Sequence, residues 1–325
     1  MTSDDTWATA TGSDSGGSDE DQTTELVRTQ DFDTPSPIRI DVGNTLGPVV
    51  VELSETAVTH VEVRHDPNST GPDWRGGLAG LLSWVTEQFG EAGLRTGLDE
   101  RWRGPREPMA EAVRHTRIDL TGNRLVVRTP NTAPLRAIPL AVHVQAPVES
   151  EVGIQAGASE VTVSGRAGRV NVQSGSGPVS VGEARDRVTV RTGSGQLRLG
   201  TAPAGVHVRS GSGDVEITAV GAQSSVVTGS GNVWLGALSG DVLVRSGSGD
   251  VTIADATEGQ AELITGSGEL QVSIHRGVAA EVDLTSSTGT ASSDLDVSEQ
   301  APEEEPSLRI FGRTGTGDAV LMTAV

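Results

Sequence analysis

The sequence predicts an all-β protein: a parallel β-solenoid (β-helix) with coils of about 18 residues, plus a small helical insertion. Three observations predict it. The triplet Gly-Ser-Gly recurs with its first glycine at 175, 193, 211, 229, 247 and 266, at intervals of 18, 18, 18, 18 and 19 residues. Apolar residues alternate at fixed offsets on both sides of each triplet. Outside those columns one long stretch, residues 74–89, has the periodicity of a helix.

In chain order, residues 1–34 are acidic, rich in Ser, Thr and Gly, and nearly free of large apolar side chains. Such a stretch cannot offset its ordering entropy, so a disordered tail is expected. Thr23 and Thr24, beside Glu25, are candidate phosphorylation positions on it; an inert solubilising arm is the other reading. Residues 35–71 read as strands of the β domain, with alternation at Ile38, Ile40 and Val42, at Val49, Val51 and Leu53, and at Val61 and Val63. Pro67 and Pro72 break the pattern.

Residues 72–116 read as the helical insertion. Trp74, Leu78, Leu81, Leu82, Val85 and Phe89 fall on one helical face, and residues 107–116 offer a second, short helix. The acidic flanks Glu87, Glu91, Asp99 and Glu100 are wrong for an anionic bilayer, so the apolar face is expected to pack on the body of the protein. Residues 117–130 read as a hairpin turning at Gly122-Asn123, and 135–150 return to strand.

Within the repeat, the positions four and six residues after each first glycine are Val179/Val181, Leu197/Leu199, Val215/Ile217, Val233/Leu235, Val251/Ile253 and Leu270/Val272. The positions five and three before it are Val170/Val172, Val188/Val190, Val206/Val208, Ser224/Val226, Val242/Val244 and Ala261/Leu263. Two short strands per period cannot bury these side chains alone. Stacked at the spacing of paired strands they make continuous apolar columns, with about seven to nine coils expected in the whole solenoid. Glycine is expected at the corners for positive φ and for want of room for a Cβ, with the middle serines bonding to turn backbone. Gly157-Ala158-Ser159 is a degenerate copy of the triplet, Gly47-Pro48-Val49 matches Gly177-Pro178-Val179, and Gly315-Thr316-Gly317 is a late variant. An acidic, Pro-containing loop occupies 292–307, where charge would blunt growth at the end of a stack.

The segments "DTPSPIRIDVGNTLGPVVV", "RLVVRTP", "LAVHVQAPVESEVGIQAGASEVTVSG" and the "SGSGDVEI" and "SGSGDVTI" repeats resemble a bacterial family of β-strand-repeat-containing domains of unknown function, also called putative adhesins. The resemblance spans residues 35–325 apart from the insertion. It implies a β-helical stack and supplies no catalytic motif.

Composition narrows the function. The chain has no Cys, Lys or Tyr, and its 24 basic side chains are all Arg, which excludes disulfides, thiolate metal sites and Lys Schiff bases. A net charge of −20 repels nucleic acid and anionic membranes overall. Neither a basic-then-apolar leader pattern nor a run of 18 apolar residues occurs, and a cytoplasmic protein is expected. Calcium is not expected, because the column after the triplet mixes Asp214 and Asp250 with Pro178, Gln196, Asn232 and Glu269. The six His show no paired metal-ligand spacing.

Four outward positions are candidate interaction residues. Arg191, Arg209 and Arg245 share a column with Gln173, Val227 and Ile264, and stacked Arg191 and Arg209 are suited to a polyanion or a phosphorylated group; solvated surface arginines are the plainer reading. Trp234 stands in a polar column, either as an anchor for a partner or covered by the 74–93 helix. The expected function is a non-catalytic scaffold binding a protein partner of unknown identity, with no cofactor, catalytic residue or metal. The alternatives are self-association of the kind seen in bactofilins and the binding of acidic glycans, as an adhesin would.

Overall fold

The computed structural model describes residues 26–67, 107–295 and 306–324. Over these the protein is all-β and mostly parallel, with 24 strands and one short α-helix. No helix among the described residues is long and apolar enough to cross a membrane.

The strands divide between two faces. The first holds the strands that enter each triplet: β10 (Val170–Ser174), β12 (Val188–Thr192), β14 (Val206–Ser210), β16 (Ser224–Thr228) and β18 (Val242–Ser246). The second holds those that leave it: β11 (Val179–Ala184), β13 (Leu197–Ala202), β15 (Val215–Val220) and β17 (Val233–Ser239). β19 (Val251–Thr265) runs through both and joins them into one hydrogen-bonded system. Each strand pairs in parallel with the one a period later: Val170 opposes Val188, which opposes Val206, and Val179 opposes Leu197, which opposes Val215. The final interval of 19 is absorbed in β19, where Val242 opposes Ala261.

The alternation in the sequence becomes the wall of the core. All the paired repeat positions named above are buried, Ile217, Leu235, Ile253 and Leu263 completely. The one polar member, Ser224, is satisfied in place: its hydroxyl accepts from the Val206 N–H at 3.0 Å and donates to the Ala222 carbonyl at 2.8 Å.

The corners correct one expectation. None of the Gly-Ser-Gly glycines has positive φ. They are glycine because backbone stacks on backbone: a Cβ on Gly177 would overlap the Ser159 carbonyl, and one on Gly195 the Gly177 carbonyl. The middle serines, Ser176 and Ser194 among them, are exposed and bond to no described residue through their hydroxyls.

Both ends are built by intercalation. β2 (Arg39–Leu46) lies between β8 (Glu151–Ala158) and β6 (Arg124–Arg128), and β3 (Val49–Ser54) lies between β9 (Val161–Ala167) and β7 (Leu140–Pro147). β23 (Leu308–Thr314) likewise lies between β19 and β21 (Ala280–Ser286), and β24 (Ala319–Thr323) between β20 (Leu270–Ile274) and β22 (Ala291–Ser293). Each face therefore counts eleven parallel strands among the described residues, more than the seven to nine layers expected. The matches at Gly47 and Gly315 are true layers: Val49 opposes Val161, and Thr314 opposes Thr265.

At the N-terminal end three antiparallel strands close the stack. β5 (Arg117–Thr121) pairs with β6 as the expected hairpin, β4 (Val58–His65) pairs with β7, and β1 (Val27–Asp33) pairs with β4. The disordered tail expected to reach residue 34 is thus corrected: Val27–Asp33 is strand, ordered by its ladder to β4, while residues 1–25 lie outside the described residues. Helix α1 (Glu107–His115) is the expected short helix, and Ala112 and Val113 sink into the core. The longer helix expected over 74–89 lies outside the described residues, as do residues 296–305 of the acidic loop.

Candidate functional site

On the first face the outward positions fall into register as one column. It runs from Arg128 through Gly43, Gln155, Gln173, Arg191, Arg209, Val227, Arg245 and Ile264 to Arg313. Neighbours stand about 4.8 Å apart, the spacing of paired strands. Two of these arginines are occupied: Arg128 donates to Gln155 Oε1 at 2.9 Å, and Arg245 lies 3.6 Å from Glu262. Arg191 and Arg209 are exposed, and their guanidinium groups have no hydrogen bond or ion pair with any described residue.

These two arginines line an open groove of about 710 Å³ with Gln155, Gln173 and the triplet corners. Ser174, Thr192 and Ser210 also line it; all are more than nine-tenths buried, and their hydroxyls lack a partner. A buried hydroxyl without a partner costs stability unless water or a ligand meets it. Further along the column the Thr228 hydroxyl, outside the groove, also lacks a partner, whereas Ser246, Thr265 and Thr314 donate to the carbonyls of Gly231, Gly249 and Gly268 at 3.4, 2.9 and 2.8 Å. The signal for this ladder was present: Ser or Thr precedes the first glycine of every triplet, at 174, 192, 210, 228, 246, 265 and 314.

The acidic column after the triplet has a structural use. Asp214 accepts from the Asn232 backbone N–H, Asn232 from that of Asp250, and Asp250 from that of Glu269, at 3.0, 3.0 and 2.9 Å. Each side chain thus ties its corner to the next. Among the described residues no group of three or more His, Asp or Glu is placed to hold a metal ion. Four His face single carboxylates: His60 with Asp31, His115 with Glu111, His143 with Glu52 and His275 with Asp255. At His65 partial burial holds the imidazole below its ordinary pKa, against an opposing pull from Asp66.

Trp234 lies on the second face, away from the arginine column. It opposes Glu216 and Thr252, is 39% exposed, and lays its ring over Gly236, where a Cβ would sit 3.0 Å from Cη2. The neighbouring Glu216 is held by Arg198 at 3.3 Å. Whether the 74–93 segment covers the indole falls outside the described residues.

A family model described as Toastrack DUF4097 matches residues 126–321. The chain belongs to this family. The toastrack match takes in every Gly-Ser-Gly triplet, the Arg191/Arg209 groove and Trp234. No curated protein matches the sequence. Among solved structures, a putative adhesin from Bacteroides fragilis is similar at 12% identity, covering 91% of this chain and 97% of its own, with a TM-score of 0.40. Putative adhesins from Parabacteroides distasonis and Parabacteroides merdae are similar at 13% and 10% identity, each over 90% of this chain and 96% and 95% of their own, with TM-scores of 0.25 and 0.24.

Proposed function

We propose that this toastrack protein is a non-catalytic β-solenoid scaffold, with coils of 18 residues, that holds a protein partner on one rigid face. Trp234 carries the reading. A large indole stands partly exposed on a sheet whose backbone is bonded to the strand on either side, and the missing side chain at Gly236 gives the ring a flat seat. An anchor already held in place loses little freedom on binding, and buried tryptophans dominate many interfaces.

Affinity capture with the full chain and with Trp234→Ala tests this. A partner held by the native chain and depleted about tenfold or more by the variant is the expected result. Equal capture by both removes the anchor, and the reading with it. A cytoplasmic location belongs to the proposal, and cell fractionation tests it.

A second reading, self-association, is favoured by the C-terminal edge. β21 and β22 have no partner strand on their outer side among the described residues, and Val282 and Leu284 are only half-buried there. Sedimentation of the full chain that shows a monomer across concentration discards it.

A further inference from the structure

We propose that the groove on the first face binds an acidic polysaccharide, with Arg191 and Arg209 taking its carboxylates. In a chain with 44 acidic residues and 24 arginines, two stacked guanidinium groups free of any described carboxylate stand out. Like charges directly opposite on paired strands repel, and a carboxylate between them turns that penalty into two forked, charge-assisted contacts.

The rest of the groove suits sugar hydroxyls. Gln155 and Gln173 follow on the next two strands and offer neutral donors and acceptors. Arg245, shared with Glu262, and Arg313 continue the column at alternate strands, so a linear chain lying along the stack meets guanidinium groups over about 24 Å.

Other polyanions fit less well. A peptide cannot extend the sheet here, because these strands are already paired on both sides. No aromatic side chain lines the groove, which removes the stacking platform that single-stranded nucleic acid uses.

The test is calorimetry of the full chain with polygalacturonate, neutral dextran and polyglutamate at matched salt. Polygalacturonate is expected to bind, dextran not to bind, and polyglutamate to bind about tenfold or more weakly than polygalacturonate. The doubly substituted chain, Arg191→Ala with Arg209→Ala, is expected to lose about tenfold or more, and Arg191→Gln with Arg209→Gln to behave alike while keeping the side chains' bulk. Both pairs are exposed, and thermal melting confirms that the fold is kept. Trp234→Ala is expected to leave polygalacturonate binding unchanged, so the outcome is independent of the partner-capture experiment. No binding of polygalacturonate, equal binding of polyglutamate, or full binding by either folded double variant overturns the proposal.

Discussion

At the N-terminal end the outermost parallel strands, β6 and β7, carry antiparallel β5 and β4 on their free edges, and α1 packs beside them. At the C-terminal end the corresponding strands, β21 and β22, have no strand beyond them among the described residues. The contrast reaches the core. Val127 on β6 is fully buried, whereas Leu284, in the same column on β21, is half-buried and leans over Gly312. A parallel stack has no intrinsic last layer, so each end needs a device against further pairing. One end reverses strand direction and adds a helix. The other shortens β22 to three residues and turns Glu281 and Asp283 outward on β21.

The sharpest test of this comparison uses two glycines with positive φ. Gly47, φ 93°, sits where a Cβ would come within 2.5 Å of the Leu140 carbonyl oxygen, and Asn44 bonds to the carbonyls of both residues. Gly277, φ 89°, has open space around it. Gly47→Ala adds backbone overlap to conformational strain and is expected to cost upwards of about 4 kcal/mol. Gly277→Ala carries the strain alone, about 1–2 kcal/mol. Urea melts of the two variants check this, and equal losses would mean that the ends are equally tight. Next in size, Leu125→Ala is expected to cost about 2–5 kcal/mol as a buried truncation. Leu284→Ala is expected to cost about 1 kcal/mol, since its side chain already meets solvent.

The middle of the molecule was legible in the sequence and its ends were not, for a physical reason. In the middle each layer sees the same neighbour, so Val190, Val208 and Val244 had to recur at one offset and to be buried. Intercalation leaves no such trace. The insertion of β2 between β6 and β8 joins residues far apart in sequence, and alternation in each strand is satisfied by any neighbour. Val27–Asp33 misled in the opposite sense, because a strand at the outer edge keeps only half-buried side chains and has the composition of a tail. The arginine column was visible as far as Arg191, Arg209 and Arg245. The hydroxyls beneath it were overlooked because Ser and Thr before a glycine read as turn residues. The corner glycines were rightly expected, but only the stacking distance shows that crowding rather than φ requires them.

The smallest effect concerns what holds the bare end down. Asp318 accepts hydrogen bonds from the Thr290 backbone N–H at 2.8 Å and its hydroxyl at 3.0 Å, which pins the turn between β21 and β22 onto the layer beneath. Those two bonds, the backbone one foremost, favour the carboxylate and hold its pKa below the ordinary value. The sign follows from linkage. A carboxyl whose folded pKa lies below its unfolded one contributes fully above the ordinary carboxylate range and loses that contribution as pH falls through the lowered value. The group is exposed, so the expected readout is local: protection of the Thr290 amide from hydrogen exchange falls on acidification through that window while the melting curve hardly moves. Asp318→Asn keeps an amide oxygen where the carboxylate oxygen was, so Thr290 protection is expected to become independent of pH there. If the native chain shows no such loss, the outer layer is held by its ladder to β23 and β24 alone, and the bare end is as firmly fixed as the closed one.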